Sequence, residues 1–173
     1  VNPGSILTGM EIIYDIVVVW LMSAVALGVG ASSLAITSFL TALYDGQIDM
    51  SERRMLAVIY WALRWSMVTI ALLLAVLQWW WPTALLGEVY LWILITVLYV
   101  NALLMTKHLI PGTIGPALQA ASWYTLGFML TIELFSLAPL TPMLFGVLYT
   151  LDILFFVVLV NAALWWLKRK NVQ

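Results

Sequence analysis

The feature that most constrains this chain is a run of 29 residues, 16–44, without a single charged side chain. The hydrocarbon core of a bilayer is about 30 Å thick, and about 20 apolar residues in a helix cross it. Residues 16–44 exceed that length, so their helix should tilt or project beyond the core. Further apolar runs occupy 55–80, 89–106, 117–137 and 143–167. Helix breakers separate them: Pro82 after Trp79-Trp80-Trp81, then Pro111, Gly112, Gly115 and Pro116, then Pro139 and Pro142. Proline has no N–H to donate and its ring clashes with the preceding turn, so each cluster reads as a stop. The expectation is an all-α polytopic membrane bundle of about five transmembrane helices. It forms one domain over residues 1–173, with helices near 12–44, 52–80, 85–109, 117–137 and 143–169.

Composition leads to the same class. The chain is 65% hydrophobic and 9% charged, where a soluble domain is roughly a quarter charged. A soluble protein of this size has too little interior to hide that much apolar surface. The lipid bilayer is therefore its first expected partner. A net charge of −1 argues against nucleic acid. The absence of cysteine excludes disulfides, thiolate metal sites and iron–sulfur clusters. A single histidine, His108, excludes bis-histidine haem ligation within one chain. The first residues lack a basic stretch, and Glu11 and Asp15 precede the first apolar run. They read as a short tail entering a retained helix.

The basic residues orient the helices. Arg53 and Arg54 lie in the first loop, Lys107 in the third, and Lys168, Arg169 and Lys170 in the tail. The second and fourth loops have no Lys or Arg. With five spans, all three basic segments fall on one side. The positive-inside rule makes that side cytoplasmic and puts the N-terminus outside.

The first loop, Asp45-Gly46-Gln47-Ile48-Asp49-Met50-Ser51-Glu52, matches the second half of an EF-hand loop. The acids of the first half are replaced by Thr41 and Leu43, which removes much of a calcium cage. Asp45, Asp49 and Glu52 are thus a weak metal candidate. Helix ends explain the same residues: Gly46 closes one helix, while Asp49 and Glu52 form a capping box on the next.

Polar residues inside the apolar runs carry the functional expectations. A charge at the bilayer centre costs about 2.5–3.5 kcal/mol on insertion scales. Arg64 and Asp152 each lie about ten residues, roughly 15 Å, inside their helices. At matching depth, they are expected to pair. Tyr60 and Trp61 are placed to stack on the guanidinium. Gln119, Ser122, Thr125, Met129, Glu133 and Ser136 recur every three or four residues. Such a stripe either lines a hydrated cavity or hydrogen-bonds neighbouring helices. Ser23, Ala26, Gly30, Ser33 and Thr37, with Gly28 and Ser32 alongside, suggest a close-packing face. The ligand or ion pathway candidates are Arg64, Asp152, Glu133, Asn101, Ser122, Thr125 and Asp15. His108, beside Lys107, is expected to be solvated at the boundary.

No H-E-x-x-H, G-x-S-x-G or P-loop motif occurs, and no serine or threonine has a recognisable base partner. No catalytic residue and no cofactor is expected. The segment Leu159-Val160-Asn161-Ala162-Ala163-Leu164-Trp165, with five helices and ten tryptophans, resembles the translocator protein (TspO) family. That family binds porphyrins and sterols, and its W-x-P-P-x-W-x-F segment is absent from this chain. Gly28-Val29-Gly30-Ala31-Ser32-Ser33 through Asp45-Gly46-Gln47-Ile48 to Glu52-Arg53-Arg54 is similar to small prokaryotic membrane proteins grouped with CopD-type copper-resistance proteins. This similarity implies a bacterial or archaeal cytoplasmic membrane. The eight methionines are scattered and read as gap-filling core residues.

The leading expectation is non-enzymatic binding or passage of a small solute or cation within the bundle. Glu11, Asp15, Glu88 and Glu133 would form an acidic outer mouth that attracts cations. The alternatives are an accessory or scaffold subunit of a homo-oligomer or larger membrane complex, and a binder of an apolar ligand or porphyrin.

Overall fold

A computed structural model describes residues 3–45, 50–81, 88–107, 109–110 and 114–170. It contains five α-helices: α1 (Pro3–Asp45), α2 (Met50–Trp80), α3 (Glu88–Thr106), α4 (Ile114–Leu134) and α5 (Pro142–Lys170). Four are long and apolar enough to cross a membrane, over Gly9–Thr41, Met50–Trp80, Val89–Thr106 and Pro142–Trp166. The first helix starts nine residues before the expected position, because Glu11 and Asp15 are tolerated in an exposed helical turn.

α4 is not among those four, and its place in the bundle explains why. It packs against α1, α3 and α5 and is buried from Gly115 to Leu130 along one broad face. A helix surrounded by protein need not be apolar all round, because its neighbours can satisfy its polar groups. Its 21 residues still extend about 31 Å, close to the hydrocarbon thickness.

Aromatic contacts fix the up-and-down order. Tyr14 near the start of α1 meets Trp81 just after α2, with ring centroids 5.6 Å apart. Tyr90 at the start of α3 stacks on Phe145 at the start of α5, at 5.0 Å. One end of the bundle therefore gathers the starts of α1, α3 and α5 with the ends of α2 and α4. Glu11, Asp15 and Glu133 make it the acidic end. The opposite end carries Arg53, Arg54, Lys107 and Arg169, with Arg169 lying 4.0 Å over the Trp165 ring.

The main core joins α1 to α4 through Leu21, Val25, Leu63, Ile70, Leu74, Leu94, Leu98, Trp123 and Met129. Its tightest point is between α1 and α4. A Cβ on Gly28 would collide with the six-membered ring of Trp123, which is fully buried. Gly127 on α4 faces Val25 and Val29 at ordinary contact distance. A second cluster, Ile36, Ala117, Ala120, Ala121, Phe156 and Val160, joins α1, α4 and α5 toward the basic end.

The expected close-packing face of α1 holds in part: Gly28 and Ser32 are buried and Ser33 bonds Tyr124 on α4, but the rest of it faces outward. Ser23, Ala26, Gly30 and Thr37 are exposed, and Gly28, Ser32, Val25 and Ile36 are the buried residues. The hydroxyls of Ser23, Thr37 and Thr41 each donate to the carbonyl four residues earlier. A serine or threonine satisfied in this way can face lipid, so it does not mark a buried surface.

The helix ends have ordinary chemistry. Ser136, in the left-handed region at φ 47°, ends α4. Leu137 N–H donates to Ile132 C=O and Ser136 N–H to Glu133 C=O, the Schellman pattern. Thr141 caps α5, its hydroxyl accepting from Leu144 N–H at 3.1 Å, with Pro142 in the first turn.

Candidate functional site

The cavity between α1, α2, α3 and α4 lies toward the basic end and has a volume of about 270 Å³. α2 and α3 touch only sparingly, which leaves space between them. Ile36, Phe39, Leu63, Met67 and Met105 are the large apolar side chains of its wall. Arg64 and Tyr60 enter that wall from α2, and Gln119 from the first turns of α4.

Gln119 is held in place. Asn101 on α3 is buried, and its Nδ2 donates to Gln119 Oε1 at 2.9 Å and to Gly115 C=O at 3.0 Å. Gly115 also brings α3 close, since a Cβ there would press within 2.8 Å of Met105 Cγ. The Oδ1 of Asn101 has no hydrogen-bond partner among the described residues.

Arg64 is exposed on α2, and among the described residues it makes no ion pair with Asp152. The expected pairing is therefore corrected. α2 packs on α1 and sparingly on α3, while α5 packs on α4 and α1. Their helices are not neighbours, so a similar distance along each helix does not bring the two side chains together. Asp152 instead accepts a 2.6 Å hydrogen bond from Thr125 Oγ1 in the middle of α4. That length is typical of a hydroxyl bound to a carboxylate. Glu133 lies near Tyr14 at the acidic end, so it is no substitute partner for Arg64. Trp61, expected to stack on the guanidinium, contacts Trp65 instead, with centroids 5.7 Å apart.

The α4 stripe resolves mainly into bonds between helices. Buried Ser122 shares a 3.0 Å hydrogen bond with Tyr149 on α5, and Thr125 holds Asp152. Ser33 on α1 bonds Tyr124 on α4 at 2.9 Å. Met129 is core, and Ser136 lies beyond the helix end and is exposed. Gln119 alone of the stripe lines the cavity.

Asp15 is exposed at the acidic end, apart from the cavity. Of the weak metal candidates, Asp49 lies outside the described residues, as does His108. Asp45 is the last residue of α1, and Glu52 is half-buried in the first turn of α2. Among the described residues, no group of three or more His, Asp or Glu side chains is arranged to hold a metal ion.

Sequence reasoning placed Tyr60 beside Arg64, but it missed Met105, Tyr124 and Tyr149 as site or interface residues. Nothing in their spacing marks them: a phenol reaches past its own turn, so its partner is set by helix packing. No family model, curated protein or solved structure matches the chain.

Proposed function

We propose that this protein is a non-enzymatic, intramembrane binder of a small solute. In this reading all five helices span the membrane, with the N-terminus outside and the basic end in the cytoplasm. α4 is long enough to cross, and the basic residues gather at one end. The cavity between α1 and α4 carries the proposal. Small-molecule sites are concave and mostly apolar, with a few fixed polar groups, and span roughly 300–1,000 Å³. This cavity is slightly smaller than that range, which suits a small occupant, and Gln119, anchored by Asn101, is a fixed polar group in its wall.

The geometry favours binding over cation passage. Asp152 and Glu133, the acids expected along an ion path, do not line the cavity, and Asp152 already accepts a bond from Thr125. The test is mild extraction followed by mass spectrometry of small molecules. Ala35 lines the cavity and is half-buried on α1, so Ala35→Phe should fill the space. Wild type should retain about one equivalent of a bound compound that Ala35→Phe loses. Equal retention in both, or none in either, would sink the proposal.

A further inference from the structure

Resting on that binding reading, we propose that the occupant is an anionic amphiphile drawn from the bilayer. Its phosphate or carboxylate head lies against Arg64 and Gln119, and its chain lies along the apolar wall. The first argument is charge. Arg64 is well inside an apolar helix, yet among the described residues it has neither a hydrogen bond nor an ion pair. An intramembrane arginine is costly unless it meets a partner or water. Among the described residues, no carboxylate lines the cavity with it. Glu52, on the same helix, is twelve residues earlier, about 18 Å along the axis.

The second argument is hydrogen-bonding sense. The Oε1 of Gln119 already accepts from Asn101, and this bond turns its amide so that the Nε2 remains a donor. The Thr106 hydroxyl donates to Ala102 C=O. Arg64 has only donors. A wall with a guanidinium, a fixed amide N–H and the hydroxyls of Ser32 and Tyr60, which can also donate, and with no acid among the described residues, fits an anion better than a cation. Arginine binds phosphate and carboxylate oxygens in pairs, through its planar fork.

The third argument concerns source. Helical side chains lean toward the helix N-terminus, so Arg64 leans toward the basic end, where lipid head groups would lie. The sparing contact between α2 and α3 leaves the cavity a side toward the bilayer, where exposed Tyr60 is part of its wall. An acyl chain can enter there and meet Leu63, Met67, Ile36 and Met105 without crossing water. The cavity accommodates a head group and the start of one chain, with the remainder in the groove between the helices.

The experiment is native mass spectrometry of the delipidated, full-length chain. The probes are dioleoyl phosphatidic acid, dioleoyl phosphatidylcholine and inorganic phosphate. Wild type should take up one phosphatidic acid at least tenfold more tightly than phosphatidylcholine. Arg64→Gln should erase that preference, and Arg64→Lys should keep part of it. Gln119→Glu, which retains the acceptor for Asn101 but adds a negative charge, should also lower the preference about tenfold. It provides a second readout if Arg64→Gln does not fold. A preference unchanged in both variants would overturn the anionic head. Binding of inorganic phosphate as tight as that of the lipid would overturn the bilayer source. If both lipids bind equally and Ala35→Phe loses both, the cavity reading survives and this inference fails. If the wild type binds no lipid, this inference fails, while the cavity reading stands or falls on whether the wild type co-purifies a compound that Ala35→Phe loses.

Discussion

Asp152 and Arg64 show how one hydrogen bond changes the meaning of a charge. Asp152 is held by Thr125 across the α4–α5 interface, and Arg64 faces the cavity. Breaking a buried ion pair costs about 3–5 kcal/mol, because the remaining charge is stranded. Neither residue is in such a pair, so neither should rescue the other. Arg64→Leu and Asp152→Leu should therefore have additive effects on detergent stability, within about 0.5 kcal/mol. The check is thermal unfolding of both single variants and the double variant. A double variant that recovers more than about 1 kcal/mol of the summed loss would restore the direct pairing.

At the scale of elements, α4 organises the bundle. It meets three neighbours, and its polar side chains bind α1, α3 and α5 through Tyr124, Gln119, Ser122 and Thr125. Its closest approach to α1 depends on Gly28, where no side chain intervenes before the Trp123 ring. Overpacking a filled core costs about 1–3 kcal/mol. Gly28→Ala should cost at least that much, since the obstacle is a rigid, fully buried ring. Trp123→Leu removes the ring, so the pair Gly28→Ala with Trp123→Leu should lose measurably less than the sum of its parts. Strict additivity in chemical or thermal unfolding would show that the two residues do not meet.

For the whole molecule, the proposed topology can be tested without background labelling, because the chain has no cysteine. Ser51→Cys and Lys107→Cys lie at the basic end, and Ala138→Cys lies in the exposed turn between α4 and α5. A membrane-impermeant thiol reagent applied outside intact cells should label Ala138→Cys and leave the other two unmodified until the membrane is opened. The reverse pattern would invert the orientation. Labelling of all three from one side would mean that α4 does not cross. In the proposed arrangement, the cavity opens toward the cytoplasmic leaflet, so the same experiment also locates the head group of the amphiphile.

Sequence alone determined the helical class, the number of helices and most of the breaks between them. Those properties depend on local quantities: the length of uncharged runs, the positions of prolines and the spacing of basic residues. Position along each helix was legible too, since residue count multiplied by helical rise is a one-dimensional measure. Azimuth and neighbour identity were decided only in the tertiary structure. The small-residue face of α1 was centred about one residue off: Gly28, Ser32 and Ser33 meet the bundle, while Ser23 and Thr37 face outward and satisfy their hydroxyls within their own helix. Arg64 and Asp152 are on helices that do not pack together. Gln119 resembled the rest of its stripe, yet it alone entered the cavity, because Asn101 on another helix holds it there. These outcomes depend on which helices become neighbours and how each is rotated, and a linear pattern leaves both open.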